Sequence, residues 1–345
     1  MIMSSLTEMS FIRNNCLNPI FYIMRKVLYT LAGIAAFISV ASCNKNSGSS
    51  SKESDVVFNV QLASGAVTKV DGISEAASVD VLDVFVYDAS GSYISSIVPT
   101  VTKTDQTHYV VKMRLLNNVA YNFVFFAQKS GSYTYSADKK TITVDYSSIP
   151  ANNDAYDAFY ARVNNYTVPG IFTQNVTLHR PFAQINFGSV KTDYEAALAS
   201  QVTFDASLKT SITVSQAPSV LSLLDGSVSV PVDAVFQASA YMGSTASSNT
   251  LSVDSSVFPG ATPVRYIGMA YILAGSDAAS TVTKVTLNYS GSQNGNAFNS
   301  ARDVTNVPVR ANYRTQIVGN VFTDEGTFNI TLDPAYYTPE QNVNL

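Results

Sequence analysis

A chain of 345 residues is long enough for about two domains of ~150 residues each. Charged residues make up only 13% of it, and the formal net charge is −4 with an isoelectric point of about 5.2, so the basic face that nucleic-acid binding needs is not expected. Two Cys exclude a disulfide-dense scaffold, and two His leave few ligands for zinc. With 46% hydrophobic residues, the chain is predicted to fold.

The first predicted element is a leader that ends just before Cys43. Arg25 and Lys26 precede a largely apolar stretch at 27–40, which has the length of a signal-peptide core. This stretch is shorter than the ~20 apolar residues that span a bilayer. The two residues before the cysteine are small, an order typical of a bacterial lipobox, in which the cysteine after the cleavage point carries the lipid.

We therefore predict a leader and lipoprotein signal peptide over 1–42, with Met24 as the true start, and lipid attachment at Cys43. The serine-rich residues that follow predict a flexible tether over 43–54. The other cysteine of the chain, Cys16, lies in the leader. A plain secretory signal followed by a chance cysteine is the alternative interpretation.

Alternation of apolar and polar residues with a period of two dominates the rest of the chain. Strands with one buried and one solvated face are typical of antiparallel sandwiches. Denser apolar runs predict central strands at 82–87, 121–127 and 266–274. The clearest alternating segments are 56–62, 109–115, 141–144, 183–187, 284–289 and 328–332.

One short helix is predicted at 192–199, with Thr192 or Asp193 as its N-cap. Because it follows a strand, it is predicted to link two β domains, 55–190 and 191–345. Each half is long enough for a Greek-key sandwich. The predicted fold is therefore all-β, with two tandem β-sandwich domains and minor short helices.

Side chains that usually carry catalysis are few. His108 and His179 lack the flanking motifs of a Ser-His-Asp site, and the glycines lack phosphate-loop spacing. Oxygen-bearing residues at 152–157 lack the spacing of a calcium loop, and a capped turn explains them equally well. We predict no enzyme activity, catalytic residue, metal or cofactor. The 20 Tyr leave glycan binding open as an alternative, although Trp is absent.

Four segments resemble the type V fimbrillins, including the minor-fimbrium (Mfa-like) proteins. With the lipobox, the resemblance covers nearly the whole mature chain in the same order. It implies two transthyretin-like sandwich domains, no catalysis, and export to the outer membrane as a lipid-anchored (palmitate-bearing) surface protein. The segments are Val81–Asp88, Arg180–Gly188, Tyr266–Leu273 and Val307–Asn320.

The resemblance also implies assembly into a fimbria, a pilus of the cell surface that supports adhesion. In polymerising members a trypsin-like protease removes the first strand, and a neighbouring subunit donates a strand to the exposed groove. Other fimbrial subunits, the outer membrane, and host or bacterial surface ligands are the implied partners. The removable strand corresponds to 56–62, with Phe58, Val60 and Leu62 on its apolar face. The donor corresponds to 328–345, with Phe328, Ile330 and Leu332.

The sequence departs from the family pattern at the cleavage site, where arginine is usual. The best match is Lys69 followed by Val70, and no Arg occurs between Cys43 and Arg114. An arginine-specific protease would reject this lysine, whereas a trypsin-like pocket accepts it. Two prolines at 334–345 also weaken that tail as a long donor. A lipidated, uncut anchor or accessory subunit, or a surface lipoprotein that binds ligands without polymerising, stays open as the alternative.

Overall fold

The computed structural model describes residues 52–63, 79–242, 264–275, 279–323 and 328–333. The described residues are mostly strands, and the prediction of an all-β fold is confirmed. One α-helix, α1, covers Lys191–Ala199, and 3₁₀ turns lie at Tyr146–Ser148 and Asp154–Tyr156. The strands are β1 (Glu53–Leu62), β2 (Val81–Asp88), β3 (Thr100–Lys103), β4 (His108–Leu116), β5 (Ala120–Gln128), β6 (Thr134–Tyr135), β7 (Thr141–Thr143), β8 (Phe159–Thr167), β9 (Phe172–Leu178), β10 (Phe182–Val190), β11 (Lys209–Ser222), β12 (Val228–Val235), β13 (Ser239–Ala240), β14 (Val264–Leu273), β15 (Ser280–Gln293), β16 (Asn296–Val309), β17 (Arg314–Gly319) and β18 (Asn329–Asp333).

The first core lies between a four-stranded sheet, in the order β3-β4-β1-β9, and a three-stranded sheet, β2-β5-β8. The alternation in β1 and β4 places every second side chain on the inner face, as the period of a strand requires. Phe58 of β1 meets Phe123 and Phe125 of β5 across this core, with ring centroids 4.9 and 5.2 Å apart. The first pair is tilted and the second is edge-on, and aromatic pairs prefer such contacts to a face-to-face sandwich.

The second core lies between the sheet β14-β10-β17-β18 and a larger sheet whose main path is β16-β15-β11-β7-β6. The two sheets approach closely at Gly268 of β14. A Cβ at this position would lie 2.8 Å from Leu287 Cδ1 and 3.2 Å from Ile212 Cδ1, so a side chain there would have to displace these two ends. Glycine in a strand is favoured where another layer comes this near.

The central strand of the three-stranded sheet, β5, is buried on both faces. Phe123 and Phe125 of β5 belong to the first core, whereas Val124 and Phe126 belong to the second. A strand covered on both sides needs a continuous apolar run instead of alternation. The central strand predicted from the run at 121–127 is therefore confirmed as β5. The runs at 82–87 and 266–274 do form strands, β2 and β14, but these are end strands of their sheets, so the prediction that they are central is wrong. Their apolar runs reflect burial by the layers that pack on them.

The residues of the two cores are not divided at a single point of the chain. The first core draws on residues from Val56 to Leu178, and β10 contributes Phe182, Ile185 and Phe187 to the second. The second core also takes residues from β2 and β5. The division of the body at residue 190 stays a prediction.

The predicted helix is present, but its predicted cap is wrong. The helix begins at Lys191 after Val190, and no side chain caps its first turn. Asp193 is instead buried at 2% exposure and accepts hydrogen bonds from the backbone of Val321, Phe322 and Thr323. Because both carboxylate oxygens of Asp193 accept these hydrogen bonds, neither caps the first turn of α1.

Candidate functional site

The candidate site is β1 together with the two strands that hold it. β1 pairs antiparallel with β4, from Glu53 opposite Leu116 to Gln61 opposite His108. On its other side it pairs parallel with β9, from Val56 opposite Phe172 onward. The first strand of the described body is thus a central strand, with a ladder on each side.

The inner face of β1 forms much of the first core. Val56, Phe58, Val60 and Leu62 are all between 0 and 4% exposed. Phe58 contacts a third ring at its edge, that of Phe172 on β9, at 5.7 Å between centroids. Phe58, Val60 and Leu62, which the sequence predicts on the apolar face, do lie together on one buried face.

The outer face of β1 carries a polar ladder to β9. The Asn59 amide donates to Asn175 Oδ1 at 3.1 Å, and Gln61 Nε2 donates to Thr177 Oγ1 at 3.1 Å. Both pairs are directly opposite in the parallel register, so they match only one alignment of the two strands. Asn175 and Thr177 are not predicted from the sequence, although alternation at 172–178 indicates the strand that carries them.

Each end of β1 is fixed by backbone hydrogen bonds. Asn117 N donates to Lys52 O at 2.8 Å at the start of the strand. At its end, Leu62 N donates to Thr107 O and Ala63 N donates to Leu178 O, both at 2.9 Å. The chain then enters a segment, 64–78, that lies outside the described residues. Lys69, Val70 and the predicted lipid attachment point Cys43 also lie outside them.

The neighbours of β1 run in opposite directions. Because β1 is antiparallel to β4 and parallel to β9, any strand placed between them makes one parallel and one antiparallel ladder, whichever way it points. The backbones of β4 and β9 therefore do not select the direction of a strand placed between them. The side chains of the inserted strand must do so.

The predicted donor segment lies in the other sandwich. β18 pairs antiparallel with β17 and is the last strand of its sheet. Phe328, just before it, packs edge-on against Phe187 at 6.1 Å between ring centroids. Phe328, Ile330 and Leu332 are half-buried. Phe58, Val60 and Leu62 on β1 are fully buried by comparison. Residues 334–345 lie outside the described part of the chain.

The histidines form no catalytic arrangement in the described chain. His108 Nδ1 lies 2.9 Å from Asp105 Oδ1 and 3.0 Å from Thr107 Oγ1, but all three are neighbours in one exposed turn. Hydrogen bonds from the Thr107 N–H, and then from His108, lower the pKa of Asp105 to about 2. The backbone of His179 exchanges hydrogen bonds with that of Tyr160.

Of the oxygen-bearing residues at 152–157, Asn152, Asn153 and Asp157 do not converge on a common point. Asp157 is fully buried, and both of its oxygens accept hydrogen bonds from Arg180, the shortest at 2.8 Å. Asn152 Oδ1 accepts a hydrogen bond from Met269 N of β14 at 2.8 Å. Asn153 Oδ1 accepts one from Ala155 N at 2.9 Å. Across the described ranges no three His, Cys, Asp or Glu side chains are grouped to hold a metal ion. Nor does any helix in those ranges have the length and apolarity to cross a bilayer.

Comparison with known families places the chain in one of them, because residues 49–345 match a single family description. The chain belongs to DUF6562, a family of unknown function. The match covers the whole described body, including β1, its neighbours and β18. Among curated proteins none matches this member of the family.

Solved structures similar to this family member include two fimbrial proteins. One is the tip fimbrial protein Mfa3 from Porphyromonas gingivalis with a C-terminal truncation, at 12% identity and a TM-score of 0.42, covering 82% of this chain and 99% of that one. The other is a fimbrial assembly protein from Parabacteroides distasonis, at 13% identity and a TM-score of 0.40, covering 82% of this chain and 100% of that one.

Proposed function

We propose that the protein is a structural subunit of a cell-surface fimbria, exported as a lipoprotein and assembled by exchange of β1 for a strand of another subunit. The observation that carries the proposal is the position of β1. It is the first strand of the described residues, it is central in its sheet, and its apolar face forms much of the first core. The resemblance of four sequence segments to type V fimbrillins supports the same function.

The physical consequence of losing β1 is large. Removing it uncovers the sites of four buried side chains and leaves one free edge on β4 and one on β9. At about 1.5–3 kcal/mol for each buried apolar side chain, the four represent about 6–12 kcal/mol of burial. A subunit in that state gains stability by accepting an extended segment with alternating apolar side chains, which is recognition by strand addition.

The sequence offers one position for the cut that would release β1. Lys69 is the only Lys or Arg between Lys52 and Lys103, and it lies between β1 and β2. A trypsin-like protease can therefore cut between β1 and β2 only after Lys69. Cleavage there separates β1 from the rest of the body and leaves Val70 as the new N-terminus.

The alternative is a surface lipoprotein that keeps β1 and does not polymerise, acting as a fimbrial anchor or as a binding protein for a glycan or host ligand. The lack of arginine near the cleavage point favours this alternative. A cavity of about 360 Å³ beside β1, with several polar side chains in its lining, also favours it. Asn59, Gln61, Asn175, Asp105 and His108 line it, and such planar hydrogen-bonding groups suit a hydroxylated ligand.

The deciding experiment is a mass spectrum of the native N-terminus, combined with unboiled gels of surface material from the native host. The polymerising subunit predicts an N-terminus at Val70 and a ladder of oligomers, and a Lys69→Gln variant should remain lipidated and monomeric. Lys69→Arg is the matched control that keeps a basic residue. Lipidated Cys43 in the native chain, with monomers only, would establish the anchor alternative.

A further inference from the structure

The two most exposed large apolar side chains of the described residues lie at one end of the first sandwich. Val98 is 80% exposed and Ile171 is 82% exposed, whereas the other large apolar side chains on the surface are 36 to 53% exposed. Val98 lies two residues before β3, and Ile171 lies directly before β9. Because β3 and β9 both run in the direction of β1, both side chains lie at the end of the sandwich where β1 begins.

The loops at this end carry no charged side chain. They cover 89–99, 117–119 and 168–171, and none of their residues is Asp, Glu, Lys or Arg. The loop at 104–107, at the opposite end of the same sandwich, contains Asp105. Loops without charges can leave water at a lower cost in free energy, because an isolated charge is the most expensive group to desolvate.

We propose that this end of the body docks on the lipid bilayer that holds the protein, with Val98 and Ile171 inserted at the membrane surface. The inference rests on the proposed export as a lipoprotein and adds a second membrane contact to the lipid on Cys43. It concerns the anchored chain, because a cut after Lys69 would separate the body from its lipid.

The segment that carries the predicted lipid joins the body at this end. Glu53, the first residue of β1, follows Cys43 by ten residues, which span at most about 36 Å when fully extended. Val98 and Glu53 line the same cavity. In the sheet order β3-β4-β1-β9, β1 lies between the two strands that follow Val98 and Ile171. A lipid on Cys43 therefore brings this end of the body to the membrane.

Two separated apolar side chains suit a bilayer better than a protein partner. β3 and β9 are three strand spacings apart in their sheet, which is about 14 Å. A stable protein interface buries about 800 Å² on each partner, far more than two side chains supply. Insertion into a bilayer needs no such area, because the lipid already holds the body at the surface and each inserted side chain adds to that binding.

A chain of residues 43–345 can test the docking, because Cys43 is its only cysteine. Coupling this thiol to a maleimide with a single myristyl chain supplies a lipid whether or not the cell attaches one. One such chain gives only weak, reversible binding, so a second contact with the membrane changes the measured partition. The probe is a vesicle of equimolar phosphatidylcholine and phosphatidylglycerol, and co-sedimentation measures the bound fraction.

Removing the two apolar side chains should weaken the binding. Val98→Ser combined with Ile171→Ser should lower the vesicle partition coefficient of the acylated chain about tenfold. The matched control is Val230→Ser combined with Val235→Ser, which changes two exposed valines of β12 and should alter the partition by less than about twofold. Circular dichroism of both double variants, compared with the parent, establishes that the fold is intact.

Amide hydrogen exchange identifies the end that contacts the vesicle. In the acylated parent, exchange on vesicles should slow at 94–99 and 168–171 and stay unchanged at 104–107. Slower exchange at 104–107 alone would place the opposite end on the membrane and overturn the inference.

Three further outcomes would also overturn it. They are equal partition of the parent and the Val98→Ser, Ile171→Ser variant, an equal loss in the control variant, and association of the unacylated parent in solution that the first variant abolishes. The last outcome, measured by sedimentation velocity, would make a second copy of the chain the partner. None of these results depends on the proposed function, because the lipid is attached chemically and no strand is exchanged. The native N-terminus tests that proposal separately.

Discussion

Asn152 pairs with Met269 through two hydrogen bonds that imitate one rung of a β ladder. Asn152 N donates to Met269 O at 2.9 Å, and Met269 N donates to Asn152 Oδ1 at 2.8 Å. Met269 lies on β14, the end strand of its sheet. The Asn152 amide also donates to Ala240 O and to Thr210 Oγ1. A single residue thus covers part of a sheet edge that would otherwise be open to pairing with another chain.

Replacing Asn152 by Ala should lower the free energy of unfolding by about 2–4 kcal/mol, because Met269 N–H and Ala240 C=O lose partners in a covered position. Asn152 has a φ of 61°, where alanine is also strained. Asn294→Ala is the matched control, since Asn294 has a φ of 53° but is exposed in a hairpin. Denaturant unfolding of both variants separates the two effects. Equal losses would mean that backbone strain alone accounts for the change.

Removing one member of the buried ion pair Asp157–Arg180 should lower the free energy of unfolding strongly. Replacing both members together should lower it less. Their side chains are 0% and 1% exposed, and Arg180 also lies over the ring of Phe159 at 4.4 Å. Arg180→Met alone should cost about 3–5 kcal/mol, because it leaves a buried carboxylate without its cation.

The double variant Asp157→Leu with Arg180→Met completes a double-mutant cycle by denaturant unfolding. It should be more stable than Arg180→Met alone, because no unpaired charge is left in the core. A double variant as unstable as the sum of its single variants would show that the pair contributes nothing as a pair.

The sequence predicts those features that depend on local periodicity, and β1, β2, β5 and the helix α1 are examples. It does not predict partners that are distant in the chain. Asp193 follows a strand and precedes an apolar run, so it reads as a helix cap, yet its partners lie at 321–323. For the candidate site, alternation at 56–62 predicts the buried face of β1, but its polar ladder to β9 depends on a pairing between residues 116 positions apart.

Asp193 should control the segment that leads into β18. Its carboxylate accepts hydrogen bonds from the backbone N–H groups of Val321, Phe322 and Thr323, and from the Thr323 hydroxyl. Asp193→Ala should cost about 2–4 kcal/mol, because these donors lose their shared acceptor. Amide hydrogen exchange should rise first at 321–323. Glu195→Ala, on the exposed face of the same helix, is the control and should leave exchange at 321–323 unchanged.

Stability should fall at alkaline pH because several tyrosines are buried. Burial raises the pKa of Tyr109 to about 12, with the charge of Asp80 as a further cause. Burial also raises the pKa of Tyr87, Tyr146 and Tyr160. The unfolded chain ionises these groups near pH 10, whereas the folded chain keeps them protonated. The free energy of unfolding is therefore at its full value below about pH 10 and falls as the pH rises toward about 12.

Urea unfolding between about pH 8 and about pH 11 measures this dependence. Tyr109→Phe should reduce the slope above pH 10 and leave the stability at pH 8 nearly unchanged. The reason is that the Tyr109 hydroxyl is buried and has no hydrogen-bond partner within the described ranges. An unchanged slope in this variant would exclude Tyr109 as one of the titrating groups.

Phe58 on β1 and Phe328 before β18 should differ in how much stability is lost when each ring is removed. Phe58 is 0% exposed among three aromatic rings, and Phe58→Ala should lower the free energy of unfolding by about 3–5 kcal/mol. Phe328 is half-buried against Phe187 before an edge strand, and Phe328→Ala should cost about 1–2 kcal/mol in the uncut monomer.

In exchanged oligomers the order should be reversed, so that Phe328→Ala destabilises the assembly more than Phe58→Ala does. If Phe328 fills the site of Phe58 in a second copy, Phe328→Ala then removes the ring that the three aromatic neighbours enclose. Oligomers of this variant should dissociate at a lower denaturant concentration than oligomers of the parent chain. Phe58→Ala should leave the oligomers as stable as the parent once β1 has been displaced, since the substituted residue is then absent from the assembly. Equal denaturant sensitivity of Phe328→Ala and parent oligomers would show that another segment fills the groove.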